Sequence, residues 1–178
     1  MRRTIIVALA LSCLATAALA APDATEARVR RLLLAHHGVP ERAVLLEAGP
    51  GVPEVLARLA ADPSAGPWYQ DGAVSALALF PSPRTQAVLH ALLADARARP
   101  EARSRALTSL AIAYGASAVP RVAPFLEDAD PALRGAAVAA LARVQGPEAA
   151  RALSAARTQA RFPDVVEAVE RLSRARTP

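Results

Sequence analysis

Two sets of columns recur along this chain at a spacing that a stack of helix pairs accommodates. Leu56, Leu89 and Val122 stand 33 residues apart, as do Leu59, Leu92 and Phe125, and Ala60, Leu93 and Leu126. Asp62, Asp95 and Asp128 close the same columns. Between them runs a second set: Ala73, Ala106, Ala137 and Ala168; Val74, Leu107, Val138 and Val169; Leu77, Leu110, Leu141 and Leu172. Its spacings are 33, 31 and 31 residues. A period of this size signals a solenoid in which each unit buries its apolar face only against its neighbours.

Within each unit the apolar positions follow a helical period. Leu89, Leu92 and Leu93 fall at i, i+3 and i+4, as do Ala106, Leu107 and Leu110, which puts each set on one helical face. Prolines 67, 83, 100, 131, 147 and 163 mark helix starts, where the missing N–H costs nothing. Asp130 before Pro131 is an expected N-cap, and Gly115 and Gly146 mark tight turns between paired helices. The pattern predicts antiparallel pairs at 67–80 with 83–96, 100–114 with 116–127 and 131–144 with 147–160, then a last helix at 163–175. Pro124 should kink the 116–127 helix. Upstream, Asp23 and Glu26 form a capping-box pattern for a helix to His37, ended by Gly38. A short helix from Pro40, a break at Gly49-Pro50-Gly51, a helix at 52–61 and a loop at 62–66 complete the front. The helices within 21–49 are expected to cap a solenoid over 50–176.

Composition agrees with an all-α fold. Alanine makes up about a quarter of the 178 residues while aromatics are 3%, which suits close helix contacts. All 21 basic residues are arginine; the chain has no lysine and no asparagine. That removes the lysine of P-loop and kinase sites, Schiff-base chemistry and a Cys-His-Asn triad.

Residues 1–20 read as an export signal. Met1-Arg2-Arg3 is a basic start, Thr4 to Leu14 is apolar, and Ala18-Leu19-Ala20 before Ala21 is a small-residue cleavage site. Cleavage between Ala20 and Ala21 gives an exported, periplasmic or secreted protein without Cys13, the one cysteine, which excludes disulfides and thiolate chemistry from the mature chain. It leaves 19 arginines against 16 acids. A rival reading keeps the segment as a membrane anchor, and a lipoprotein at Cys13 is a third. The sequence pI of 10.8 mostly reflects arginine in place of lysine and points only weakly to nucleic acid, which an exported protein rarely meets.

The stretch Asp130-Pro131-Ala132-Leu133-Arg134-Gly135-Ala136-Ala137-Val138-Ala139-Ala140-Leu141, running on to Gly146, resembles the HEAT repeat. The type it resembles is the short bacterial form also called phycobilisome-lyase-like. Leu133-Arg134 stands at its Val-Arg position and Arg103 matches one repeat earlier, while Gln70 and Val165 depart from it. The resemblance implies a right-handed α-α superhelix of armadillo type, with second helices lining the concave side. It implies binding surfaces and no common chemistry.

No catalytic, cofactor or metal set emerges from the residues. His36 and His37 are adjacent on a helix and point apart; a helix C-terminal turn suits them. His90 reads as a half-exposed surface histidine. Gly115-Ala116-Ser117-Ala118-Val119 lacks the closing glycine of a nucleophile elbow, so Ser117 reads as a helix N-cap. Arg103 and Arg134 are expected to pair with Asp95, Asp128 or Asp130 in a ladder along the stack. Trp68 and Tyr69 read either as an aromatic anchor for a partner or as a plug over the loop before the regular repeats. Arg84, Arg121 and Arg151 lie on second helices and are the expected contacts for an unidentified protein or peptide partner. The resulting expectation is a non-enzymatic interaction module or scaffold. The alternative is an accessory or lyase-like ligand-binding protein, which requires a pocket with placed polar groups.

Overall fold

A computed structural model describes residues 24–35, 38–159 and 161–176. The expected cleavage site at Ala20 and Ala21, Asp23 of the capping box, and the His36-His37 pair lie outside the described residues. Among the described residues ten α-helices follow one another: α1 (Ala24–Ala35), α2 (Arg42–Leu46), α3 (Val52–Ala61), α4 (Pro67–Ala76), α5 (Pro83–Ala94), α6 (Pro100–Tyr114), α7 (Val119–Val122), α8 (Pro131–Arg143), α9 (Pro147–Gln159) and α10 (Pro163–Arg176). No strand occurs among the described residues. All six of the marking prolines open a helix, each at the position where the ring costs no hydrogen bond.

The helices stack in two layers. α1, α4, α6, α8 and α10 pack in that order as a first layer. α3, α5, the 115–127 segment and α9 form a second layer, each packed against the first-layer helices beside it. The six apolar columns face the space between. Leu56, Leu89 and Val122, and likewise Val74, Leu107, Leu110 and Leu141, are fully buried. Each such leucine adds about 1.5–3 kcal/mol. Ala73, Ala106 and Ala137 are also fully buried, so adjacent first-layer helices approach over small side chains. Ala168 and Leu172 end their columns only partly buried.

The Asp column has one role repeated three times. The Oδ1 of Asp62 accepts from the Ser64 N–H at 2.8 Å, that of Asp95 from the Arg97 N–H at 2.8 Å, and that of Asp128 from the Asp130 N–H at 2.9 Å. Each is an Asx turn that reverses the chain as a second-layer element ends. Asp130 caps α8 by accepting from the Ala132 N–H at 2.8 Å, as expected. Asp62 also caps a short 3₁₀ turn, Pro63–Ala65, inside what reads as plain loop.

One expected helix does not form. In place of a helix over 116–127, α7 has four residues between 3₁₀ segments Gly115–Ala118 and Ala123–Glu127. Pro120 and Pro124 stand four apart, so Pro124 has no N–H for the Pro120 carbonyl and its ring crowds that oxygen. The backbone tightens to 3₁₀ rather than kinking once. Val122 and Leu126 still reach the core. Ser117 therefore caps no α-helix: its hydroxyl donates to the Tyr114 carbonyl at 2.8 Å.

The front joins the stack as a further pair. Glu26 of α1 accepts from Arg30 at 2.9 Å and from Arg58 of α3 at 3.1 Å. Burial alone would raise the Glu26 carboxyl, but these two arginines outweigh it and hold it below its ordinary range. Gly72 lets α1 lie close to α4: a Cβ there would meet Leu33 Cδ2 at 3.3 Å.

Candidate functional site

The second layer carries Arg84 on α5, Arg121 on α7 and Arg151 on α9, all exposed. They are not equivalent. Arg151 is held locally, by Glu148 at 3.2 Å and by the Pro147 carbonyl at 3.2 Å. Arg84 and Arg121 make no ion pair among the described residues. His90, half-buried on α5, has its pKa lowered, first by burial and then by the charge of Arg121. This layer thus offers dispersed positive charge.

The arginines at the Val-Arg position of the repeat, Arg103 and Arg134, are structural. Arg103 meets Asp128 at 3.7 Å, and its Nε donates to the Leu93 carbonyl at 3.4 Å. Arg134, on a mostly buried side chain, donates to the Asp128 and Ala129 carbonyls at 2.9 and 3.0 Å. Its carboxylate partner is Asp164, at 2.8 Å, so the ladder reaches one repeat further than the expected Asp95, Asp128 and Asp130. The side chains of Asp95 and Asp130 are instead bonded in the turns. Gln70 keeps the contact at the departing position, its Nε2 donating to the Ala60 carbonyl at 3.2 Å.

The two candidate aromatics separate. Tyr69 is half-buried, with Arg30 stacked 4.7 Å from its ring centroid. Trp68 is 80% exposed, so it plugs nothing. It lines a solvent-open groove of about 560 Å³ over α1, α4 and α6, together with Leu33, Leu34, Val39, Gly72 and Arg105. A second hollow of about 290 Å³ shares Val39, Ser75 and Arg105 with the first and carries the surface on to Ile112 and Ala136. Leu34, Val39, Trp68 and Ile112 are each at least 44% exposed, and the one other large exposed apolar side chain among the described residues is Leu46. The exposed apolar surface is therefore gathered on the first layer, away from Arg84, Arg121 and Arg151.

Asp71 and Arg105 supply the charge in this groove. Asp71 is bonded by Arg99, closely, and by Arg105 Nε at 3.5 Å. Arg105 also reaches Ser75 Oγ at 3.5 Å and stays half-exposed. Gln70 and Glu101 share Arg99 at 3.2 and 3.7 Å. Hydrogen bonding fixes the acid inward and leaves a guanidinium facing solvent. No set of three or more His, Asp or Glu side chains with metal-binding geometry occurs among the described residues. None of their helices is long and apolar enough to cross a membrane.

Of this groove the sequence singles out Trp68 alone. The exposure of Leu34, Val39 and Ile112 has a weak sequence signal. In an alanine-rich helix such as α6, Ile112 beside Ala111 and Leu110 reads as one more core residue.

Residues 96–173 match the family described as HEAT repeats. No curated protein and no solved structure matches the chain.

Proposed function

We propose that this chain, a HEAT-repeat protein over residues 96–173, is an exported, non-enzymatic module that binds another protein. HEAT repeats form interaction scaffolds, and the finer reading rests on one observation above the rest. Leu34, Val39, Trp68 and Ile112 gather on a single face of the first layer. A cluster of exposed apolar side chains with a tryptophan among them is the composition of an interaction surface. The polar groups nearby, Asp71, Arg99, Arg105 and Gln70, are bonded to one another, which suits positioning rather than bond-breaking chemistry. Export is supported by Met1-Arg2-Arg3, the apolar run and Ala18-Leu19-Ala20 before Ala21.

The experiment is site-specific photo-cross-linking in the native cell. A photoreactive residue is placed in turn at positions 68, 112, 84, 121 and 151, and the protein's N-terminus is read by mass spectrometry. The expected result is a discrete protein adduct from positions 68 and 112 and a mature chain beginning at Ala21. Adducts only from 84, 121 and 151 would move the binding face to the second layer. No adduct from any position would end the interaction-module reading, and an intact Met1 in the soluble fraction would end the export reading.

A further inference from the structure

We propose that the groove over α1, α4 and α6 takes an acidic, apolar peptide segment of a partner protein, its apolar side chains lying against Trp68 and Ile112 and a carboxylate on Arg105. This rests on the interaction-module reading and gives it a ligand class.

Charge selects the acidic partner. The helices α1, α4, α6 and α8 carry seven arginines against three carboxylates, Glu26, Asp71 and Glu101, and of the seven Arg103 and Arg134 are paired with Asp128 and Asp164 from other elements. Each of those carboxylates is already held by an arginine. Arg31 and Arg143 are exposed and make no ion pair among the described residues. Arg105 sits where the two hollows meet, half-exposed, with both of its contacts at 3.5 Å. Asp71 is held more closely by Arg99. A carboxylate arriving from solvent would form a shorter, charge-assisted bond to Arg105 than those it now has.

Size selects a peptide. Neighbouring helix axes lie about 10 Å apart, so a groove crossing three helices is about 20 Å long. That length holds about six extended residues at about 3.3 Å each. A second copy of this chain is the poorer occupant, because cleavage after Ala20 still leaves 19 arginines against 16 acids and like-charged faces oppose docking.

Trp68 is the one tryptophan in the chain, so its emission reports directly on the groove. The probes are two acetylated, amidated eight-residue peptides, one alternating leucine with glutamate and the other leucine with lysine. The leucine–glutamate peptide should shift Trp68 emission to the blue, saturably. The lysine peptide should bind at least about tenfold more weakly, and Arg105→Gln should weaken the glutamate peptide by about tenfold. Ile112→Ser should weaken it too, whereas Arg157→Gln on α9 should not. Circular dichroism confirms that each variant is folded.

Equal binding of the two peptides, or an unchanged affinity in Arg105→Gln, would overturn the proposal. So would blue emission that reddens on dilution as a dimer dissociates, which would put a second copy in the groove. Saturable binding of phosphatidylcholine vesicles with no response to either peptide would overturn it in favour of a lipid surface. Cross-linking from position 68 combined with equal peptide binding would keep the interaction module and remove the acidic ligand.

Discussion

Arg134 and Asp164 are joined through a forked contact: Nε and Nη2 of the arginine lie 2.9 and 2.8 Å from one carboxylate oxygen, and Nε lies 3.2 Å from the other. The same guanidinium donates to two carbonyls of the turn before α8 and lies 4.0 Å from the Phe162 ring centroid. One side chain thus ties the turn entering α8 to the turn entering α10. This is inter-repeat cement, and it explains why an arginine sits buried among side chains that are mostly alanine, leucine and valine.

Removing that cement should be costly. Arg134→Met keeps the apolar stem and loses the donors, leaving two carbonyls and Asp164 without their partner. The expected loss is about 1.5–3 kcal/mol, the range for hydrogen bonds to a charged group, measured by urea denaturation. Arg103→Met, whose ion pair is longer at 3.7 Å, should lose about 1 kcal/mol or less. Equal losses at the two sites would show that the forked geometry adds nothing.

The repeat was legible because its columns are the core itself: Leu56, Leu89, Leu107 and Leu141 are buried as their spacing requires. The 115–127 segment was less so, since two prolines four apart act together on one turn and each taken singly reads as tolerable or as a kink. The groove was the least legible part. Whether Ile112 is core or surface depends on which neighbour covers its side of α6, a tertiary fact that an alanine-rich helix with apolar residues all round does not encode. Arg105 likewise reads as an ordinary surface arginine until Arg99 is seen to hold Asp71.

The same columns predict a gradient of stability along the stack. Leu107→Ala and Leu110→Ala remove fully buried side chains and should each cost about 2–5 kcal/mol. Leu172→Ala, at the partly buried end of its column, should cost about 1 kcal/mol. Equilibrium denaturation of the three variants checks the order. A loss at Leu172 as large as at Leu107 would mean that α10 is covered more fully than its exposure indicates.

His90 gives the stability a pH dependence of known sign. Its folded pKa lies below the ordinary 6.5, through burial first and the Arg121 charge second, so the unfolded chain binds the extra proton as pH falls. The contribution is full above pH 6.5 and is lost as pH drops through the folded value. Proton NMR of the imidazole should show a midpoint below 6.5 that moves upward in Arg121→Gln. His90→Gln should flatten stability across that window. A wild-type midpoint at or above 6.5 would contradict the burial of His90 and the nearness of the Arg121 charge.

Gly72 decides how closely α1 approaches α4, and its variants test the groove wall directly. An alanine Cβ there would lie 3.3, 3.5 and 3.6 Å from three carbons of Leu33. Leu33 is only partly buried, so it can give by the few tenths of an ångström required. Alanine also gains about 1 kcal/mol of helix propensity over glycine in a helix interior. Gly72→Ala should therefore be neutral or stabilising by up to about 1 kcal/mol. Gly72→Leu cannot be absorbed in this way and should cost about 1–3 kcal/mol, as overpacking does, by lifting α1 from α4. Because Leu33, Leu34 and Trp68 line the groove on either side of this contact, Gly72→Leu should also alter Trp68 emission in the folded state, and Gly72→Ala should not. A leucine variant with unchanged stability and unchanged emission would show that α1 does not rest on α4 at this point.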